Sequence, residues 1–162
     1  MKVLFVIPEV RLDGNPTIFP FWAGIFASIV EKKGGDVGIL DLNALRVNHD
    51  GKLVPSDIIE KEIASEKWDI IGIGGLTTTY GRIKQLSPLI RKNSKDSLFI
   101  AGGGWSTYNP DEILQLIPEL DLICLGEGEE TFSEVYDYVK KGEKDFEKIK
   151  GLCIRNKDVF KF

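Results

Sequence analysis

The sequence predicts a three-layer α/β fold: a five-stranded parallel sheet covered by helices on both faces and closed by a C-terminal hairpin. Three observations predict it. Short apolar runs alternate five times with longer amphipathic ones, and parallel strands require crossover connections of that kind. The short runs are mostly continuous in their apolar character, which marks strands buried on both faces. The chain has 162 residues, 43% of them hydrophobic, enough for one core in a single domain over 1–162.

Val3 to Ile7 is the first strand, ending at Pro8. A Pro- and Gly-bearing loop runs to Pro20, and a helix spans Phe21 to Lys32, ended by Gly34-Gly35. Val37 to Leu40 is the second strand. Ser56 is positioned to cap a helix carrying Ile58, Ile59 and Ile63. Asp69 to Gly74 is the third strand, and Arg82 to Lys92 a helix with Pro88 inside it, so a kink or late start is expected. Leu98 to Ala101, a short helix Glu112 to Ile117, Leu122 to Leu125 and a helix Thr131 to Lys140 complete the alternation. The tail reads as a hairpin, with Gly151 to Arg155 and Val159 to Phe162 around Asn156-Lys157-Asp158.

Composition excludes several classes. The 21 basic and 25 acidic residues leave a net charge of −4, which argues against a general nucleic-acid binder. No apolar run approaches the roughly 20 residues of a membrane span, and the start is too short an apolar run for a secretory signal. Cys124 and Cys153 match no metal-ligand spacing and sit among apolar neighbours, so they read as structural thiols of a reduced, cytoplasmic domain.

In such a sheet a ligand lies at the carboxyl ends of the strands. The loop after the third strand is Gly74-Gly75-Leu76-Thr77-Thr78-Thr79-Tyr80, where the hydroxyls serve a ligand or cap the next helix. After the fourth strand comes Gly102-Gly103-Gly104-Trp105-Ser106-Thr107. Three glycines allow close approach of a bulky flat ligand or make a tight turn, and Trp105 either covers that ligand or packs beneath the loop. After the fifth strand comes Gly126-Glu127-Gly128-Glu129-Glu130-Thr131, too acidic to hold a phosphate. The loop after the first strand, Pro8-Glu9-Val10-Arg11-Leu12, has neither a flavodoxin-type phosphate loop nor G-x-G-x-x-G, which disfavours a flavin or nucleotide. A phospho-acceptor domain is excluded by Gly74-Gly75 at the third strand's end. The single histidine, His49, lies in the turn-like Asn48-His49-Asp50-Gly51, so no Ser-His-Asp or Cys-His set is indicated.

Together these loops resemble the cobalamin-binding domain at the N-terminus of many cobalamin-dependent radical SAM enzymes, among them methyltransferases and the anaerobic magnesium-protoporphyrin monomethyl ester cyclase. The resemblance rests on the strand ending in Pro8, Gly74 to Thr79, Gly102-Gly103 followed by Thr107 and Pro110-Asp111-Glu112, and Asp121. Its most specific part is Gly126-Glu127-Gly128-Glu129-Glu130-Thr131-Phe132, then Gly151-Leu152 and Arg155. It implies a flavodoxin-like (Rossmann-like) sheet with cobalamin over the strand ends, its nucleotide tail in a slot between Thr77-Thr78 and Gly102-Gly103. The implied cofactor-binding residues are Gly75, Thr77, Thr78, Gly102, Gly103, Gly104, Gly126, Glu127 and Gly128. Replacing Gly103 with valine is then expected to abolish cofactor retention in a folded domain.

The resemblance also implies a radical SAM barrel following this chain, which would carry the S-adenosylmethionine and a 4Fe-4S cluster. Two cysteines cannot make the three-cysteine cluster motif, so this chain is expected to be the cofactor module and not a radical enzyme by itself. The family's methionine-synthase type has D-x-H-x-x-G after the first strand. Here Asp13-Gly14 has no histidine after it, and cobalamin is expected base-off without a histidine ligand. The alternative is a non-catalytic scaffold of the same fold that has lost the cofactor.

Overall fold

The computed structural model describes residues 1–10 and 20–155. Six strands make one sheet in the order β2-β1-β3-β4-β5-β6: β1 Lys2–Ile7, β2 Asp36–Asp41, β3 Ile70–Gly74, β4 Leu98–Gly102, β5 Leu122–Cys124 and β6 Leu152–Ile154. The first five are parallel, with Val3 beside both Val37 and Ile70, and Gly74 beside Gly102. The order reverses between β1 and β3, and crevices in open α/β sheets form at the carboxyl ends beside such a reversal.

The sheet has one strand more than the five expected. The Leu152–Ile154 run enters the sheet itself, antiparallel to β5, with Leu122 opposite Ile154 and Cys124 opposite Leu152. An apolar run beside an open strand edge gains more by pairing there, where Leu152 and Cys153 become buried. The hairpin's other half, Val159 to Phe162, and its turn lie outside the described residues.

Among the described residues seven α-helices accompany the sheet: α1 Phe21–Lys32, α2 Leu42–Val47, α3 Ser56–Ala64, α4 Tyr80–Asn93, α5 Gly104–Thr107, α6 Pro110–Leu116 and α7 Glu129–Lys141. α1 stops where glycines were expected to stop it. Gly34 has φ +73°, its N–H donates to Glu31 O at 2.9 Å, and Gly35 N–H reaches back to Val30 O at 3.0 Å. The sequence pattern hid α2 and α5, six and four residues long, too short to show a period. Ser56 does not cap α3; Pro55 holds that place and Ser56 is the first helical residue. α4 runs unbroken through Pro88, whose ring removes a donor from Lys84 O; both residues are solvent-exposed, so water can serve that carbonyl.

The two faces of the sheet have different cores. Under α3, α4 and α6 the core is mainly aliphatic, including Ile59, Ile71, Ile83 and Leu86. Under α1 and α7 it is aromatic: Phe5, Phe26 and Phe132 meet at ring distances of 5.1–6.0 Å, and Trp22 leans on Phe5 at 6.0 Å. That aromatic cluster reaches the carboxyl edge of the sheet.

Candidate functional site

A cleft of about 1360 Å³ opens at the carboxyl ends of β1, β3, β4 and β5. It exceeds the range of about 300–1,000 Å³ usual for drug-sized ligands. Its floor is Phe5, Trp22, Phe26 and Phe132, so the ligand it suits presents a broad apolar surface. Large side chains stand exposed at its mouth: Val10, Phe21, Leu76 and Tyr108.

Of the residues expected to contact a cofactor, Gly75, Gly102, Gly103, Gly104, Gly126, Glu127 and Gly128 line this cleft. Thr77 and Thr78 do not. With Thr79 they form a 3-10 turn leading into α4, where both are exposed. Thr79 is buried and its hydroxyl donates to Leu76 O at 2.7 Å, holding the turn together. Thr79 thus serves local structure, while Thr77 and Thr78 stand exposed outside the cleft lining.

Gly103 brings two of the loops together. It has φ +98°, and a Cβ there would stand 2.7 Å from Gly75 O, so the β3 and β4 loops are in backbone contact through it. A valine at 103 strikes main chain, so Gly103→Val is expected to cost stability as well as cofactor retention. Other glycines are likewise filled from within. Gly72 accommodates the Phe5 ring, Gly74 the Trp22 ring and Gly128 the Cys124 sulfur. Gly104 and Gly126 differ, for among the described residues no atom beyond their own local backbone lies within 4 Å of a Cβ built there. At Gly102 a Cβ would make only ordinary contact, 3.6 Å from Cys124 O.

Trp105 packs beneath the loop. It is buried, its Nε1–H donates to Gly102 O at 2.9 Å, and its ring meets Tyr80 at 6.1 Å. Cys124 and Cys153 are both buried, as expected of structural thiols, and burial pushes each thiol up to about 12. Cys124 lies at the cleft floor, its thiol turned to Gly128 O at 3.6 Å.

The wall contributed by α2 was not foreseen. Asp41, Asn43 and Arg46 line it. Asp41 Oδ1 caps α2, accepting from Asn43 N at 2.9 Å and Ala44 N at 3.2 Å. Arg46 is 1% exposed and its Nη1 donates to Gly51 O at 3.3 Å. The only available signal was Asp41 as an N-cap before Leu42-Asn43-Ala44-Leu45. His49 sits in the turn after α2, half-buried and outside the cleft lining, so no imidazole of this chain reaches the site. Among the described residues no group of three metal-ligating side chains occurs, and no helix is long and apolar enough to cross a membrane.

Residues 13–136 match the B12 binding domain family. The chain is 28% identical over 123 residues to the anaerobic magnesium-protoporphyrin IX monomethyl ester cyclase of Synechocystis sp., covering 75% of this chain and 23% of that protein. It is 28% identical over 171 residues to the cytidylyl-2-hydroxyethylphosphonate methyltransferase of Streptomyces wedmorensis, covering 97% of this chain and 32% of that protein. Its fold matches the cobalamin-dependent S-adenosylmethionine radical enzyme OxsB with aqua-cobalamin bound at a TM-score of 0.79 and 20% identity, over 98% of this chain and 21% of that one. The chain therefore spans a third or less of the length of these proteins. The family match takes in well over half of the residues, and the chain belongs to the B12-binding domain family.

Proposed function

We propose that this B12-binding domain holds cobalamin in the cleft at the sheet's carboxyl edge, as the cofactor module of a longer radical SAM methyltransferase or cyclase. Family membership supplies the cofactor class. The observation that carries the reading to this chain is the open backbone at Gly104 and Gly126, beside an aromatic floor in a cleft of about 1360 Å³. A wide, flat, neutral ligand with amide side arms can approach that backbone directly, and exchange hydrogen bonds with its N–H and C=O groups. Bound there, cobalamin supplies a cobalt centre able to carry an alkyl group.

The chain's own residues bind and orient. Gly102, Gly104 and Gly126 offer backbone at close range. Phe5, Trp22 and Phe132 exclude water from the floor, and Glu127 stands at the exposed rim where its carboxylate can remain solvated. The chain's one histidine, His49, is not among the cleft-lining residues, so this chain would supply no imidazole to a bound cobalt. Two buried thiols cannot make the three-cysteine cluster motif, so S-adenosylmethionine and the 4Fe-4S cluster would be held by a radical SAM domain of the longer protein. The free thiols fit a cytoplasmic setting.

The test is retention. The purified chain is mixed with hydroxocobalamin, desalted, and its visible spectrum recorded. Corrin absorption travelling with the protein at near-equal stoichiometry is expected. Colourless protein would instead identify a scaffold of the same fold that no longer uses the cofactor.

A further inference from the structure

Pro8, Glu9 and Val10 leave β1 along one edge of the cleft, and side chains from two other elements hold them. Asn43 of α2 grips the segment with both ends of its amide. Its Nδ2 donates to Pro8 O at 2.8 Å, and its Oδ1 accepts from Val10 N–H at 2.9 Å. Pro8 and Val10 line the cleft; Glu9, between them, does not. Its side chain points into the protein with no solvent exposure. There Oε2 accepts from Arg82 Nε at 2.8 Å, while Oε1 accepts from Arg82 Nη2 at 3.0 Å and from Val54 N–H at 3.1 Å. Arg82, on α4, also donates from Nη2 to Val54 O at 3.4 Å.

A buried ion pair of this sort is a weak source of stability, because desolvation offsets most of the Coulombic gain and apolar residues of equal volume do as well. Its effect is directional. The two-pronged guanidinium–carboxylate contact fixes where Glu9 sits, and so which way Pro8 and Val10 face. A wall ordered before binding spares the ligand the entropy of ordering it.

We propose that Glu9, Arg82 and Asn43 are positioning residues that hold Pro8 and Val10 preformed as the α2-side wall of the cofactor cleft. The inference rests on the cobalamin reading given above.

The test uses the neutral pair Glu9→Gln with Arg82→Met, in which the glutamine carbonyl still accepts from Val54 N–H. The variant is expected to fold, with amide exchange in β3 and β4 unchanged. Exchange at Val10 should rise at least about tenfold, and hydroxocobalamin affinity should fall about tenfold. Arg82→Lys, which keeps the charge and loses the fork, should fall between the two, and carries the test if the neutral pair fails to fold. A folded variant whose Val10 exchange or cobalamin affinity equals wild type overturns the positioning role alone. A wild-type chain that takes up no hydroxocobalamin overturns the cofactor reading, and with it the purpose assigned to these residues.

Discussion

The two long walls of the cleft are built on opposite principles. On the β1–α2 side, every element of the wall is held by side chains: Asn43 on Pro8 and Val10, Glu9 on Arg82, Asp41 on the start of α2. On the β4–β5 side the wall is nearly bare backbone, Gly102-Gly103-Gly104 and Gly126-Glu127-Gly128. One wall fixes a position and the other allows approach. The bare wall divides further, since Gly103 and Gly128 are occupied by the chain's own atoms and Gly104 and Gly126 are not. Glycine-richness alone therefore does not mark ligand contact; the space beside each glycine does.

The sharpest way to break this distinction is to fill the two kinds of glycine in turn. Gly103→Val should be the most damaging change, because it forces a positive φ on a β-branched residue and drives its Cβ against Gly75 O. A loss of about 2–4 kcal/mol in denaturant unfolding is expected, with cofactor retention lost alongside it. Gly104→Val should separate the two effects. Its unfolding midpoint should stay within about 0.5 kcal/mol of wild type, while cobalamin affinity drops more than about tenfold. Equal retention by Gly104→Val and wild type would mean the bare wall is not where the ligand lies.

Smaller effects sharpen the picture of what surrounds the cleft. The thiols of Cys124 and Cys153 ionise from about pH 9 in the unfolded chain but only near 12 when folded. The folded state thus keeps its protons while the unfolded state loses them, so stability falls as pH rises through that window. Unfolding free energies at pH 8 and pH 10 should converge in the double variant Cys124→Ala with Cys153→Ala, relative to wild type. Neither native thiol should react with a thiol reagent within minutes at pH 8. Smallest of all, His49→Ala should leave the spectrum of bound hydroxocobalamin superimposable on wild type, since His49 lies outside the cleft lining. A shifted spectrum in that variant would place His49 within reach of the ligand.

The parts visible in the sequence were those with a period or a strong local chemistry. Continuous apolar runs disclosed β1 and β3, and the helix at Phe21–Lys32 has the bounds its pattern and its terminal glycines require. The glycine loops directed attention to the edge of the sheet where the cleft opens. What stayed hidden depends on contacts distant in sequence. Asn43 is 33 residues from Val10, and Arg82 is 73 from Glu9, so no local pattern ties them together. The threonine run is ambiguous for a related reason: hydroxyls at a strand end serve a ligand or a turn equally well, and the Leu76–Thr79 hydrogen bond assigns only Thr79 to the turn. Likewise Leu152-Cys153-Ile154 reads as a strand from sequence, while its partner, β5, is a matter of tertiary packing.

Amide hydrogen exchange, compared with and without hydroxocobalamin, tests most directly where the cofactor lies. Protection is expected in Gly102–Gly104, in Gly126–Gly128 and at Val10, the two opposed walls, with the amino-terminal edge of the sheet unchanged. Protection confined to any other surface, with those three segments exchanging as in the free protein, would contradict the placement of cobalamin in this cleft.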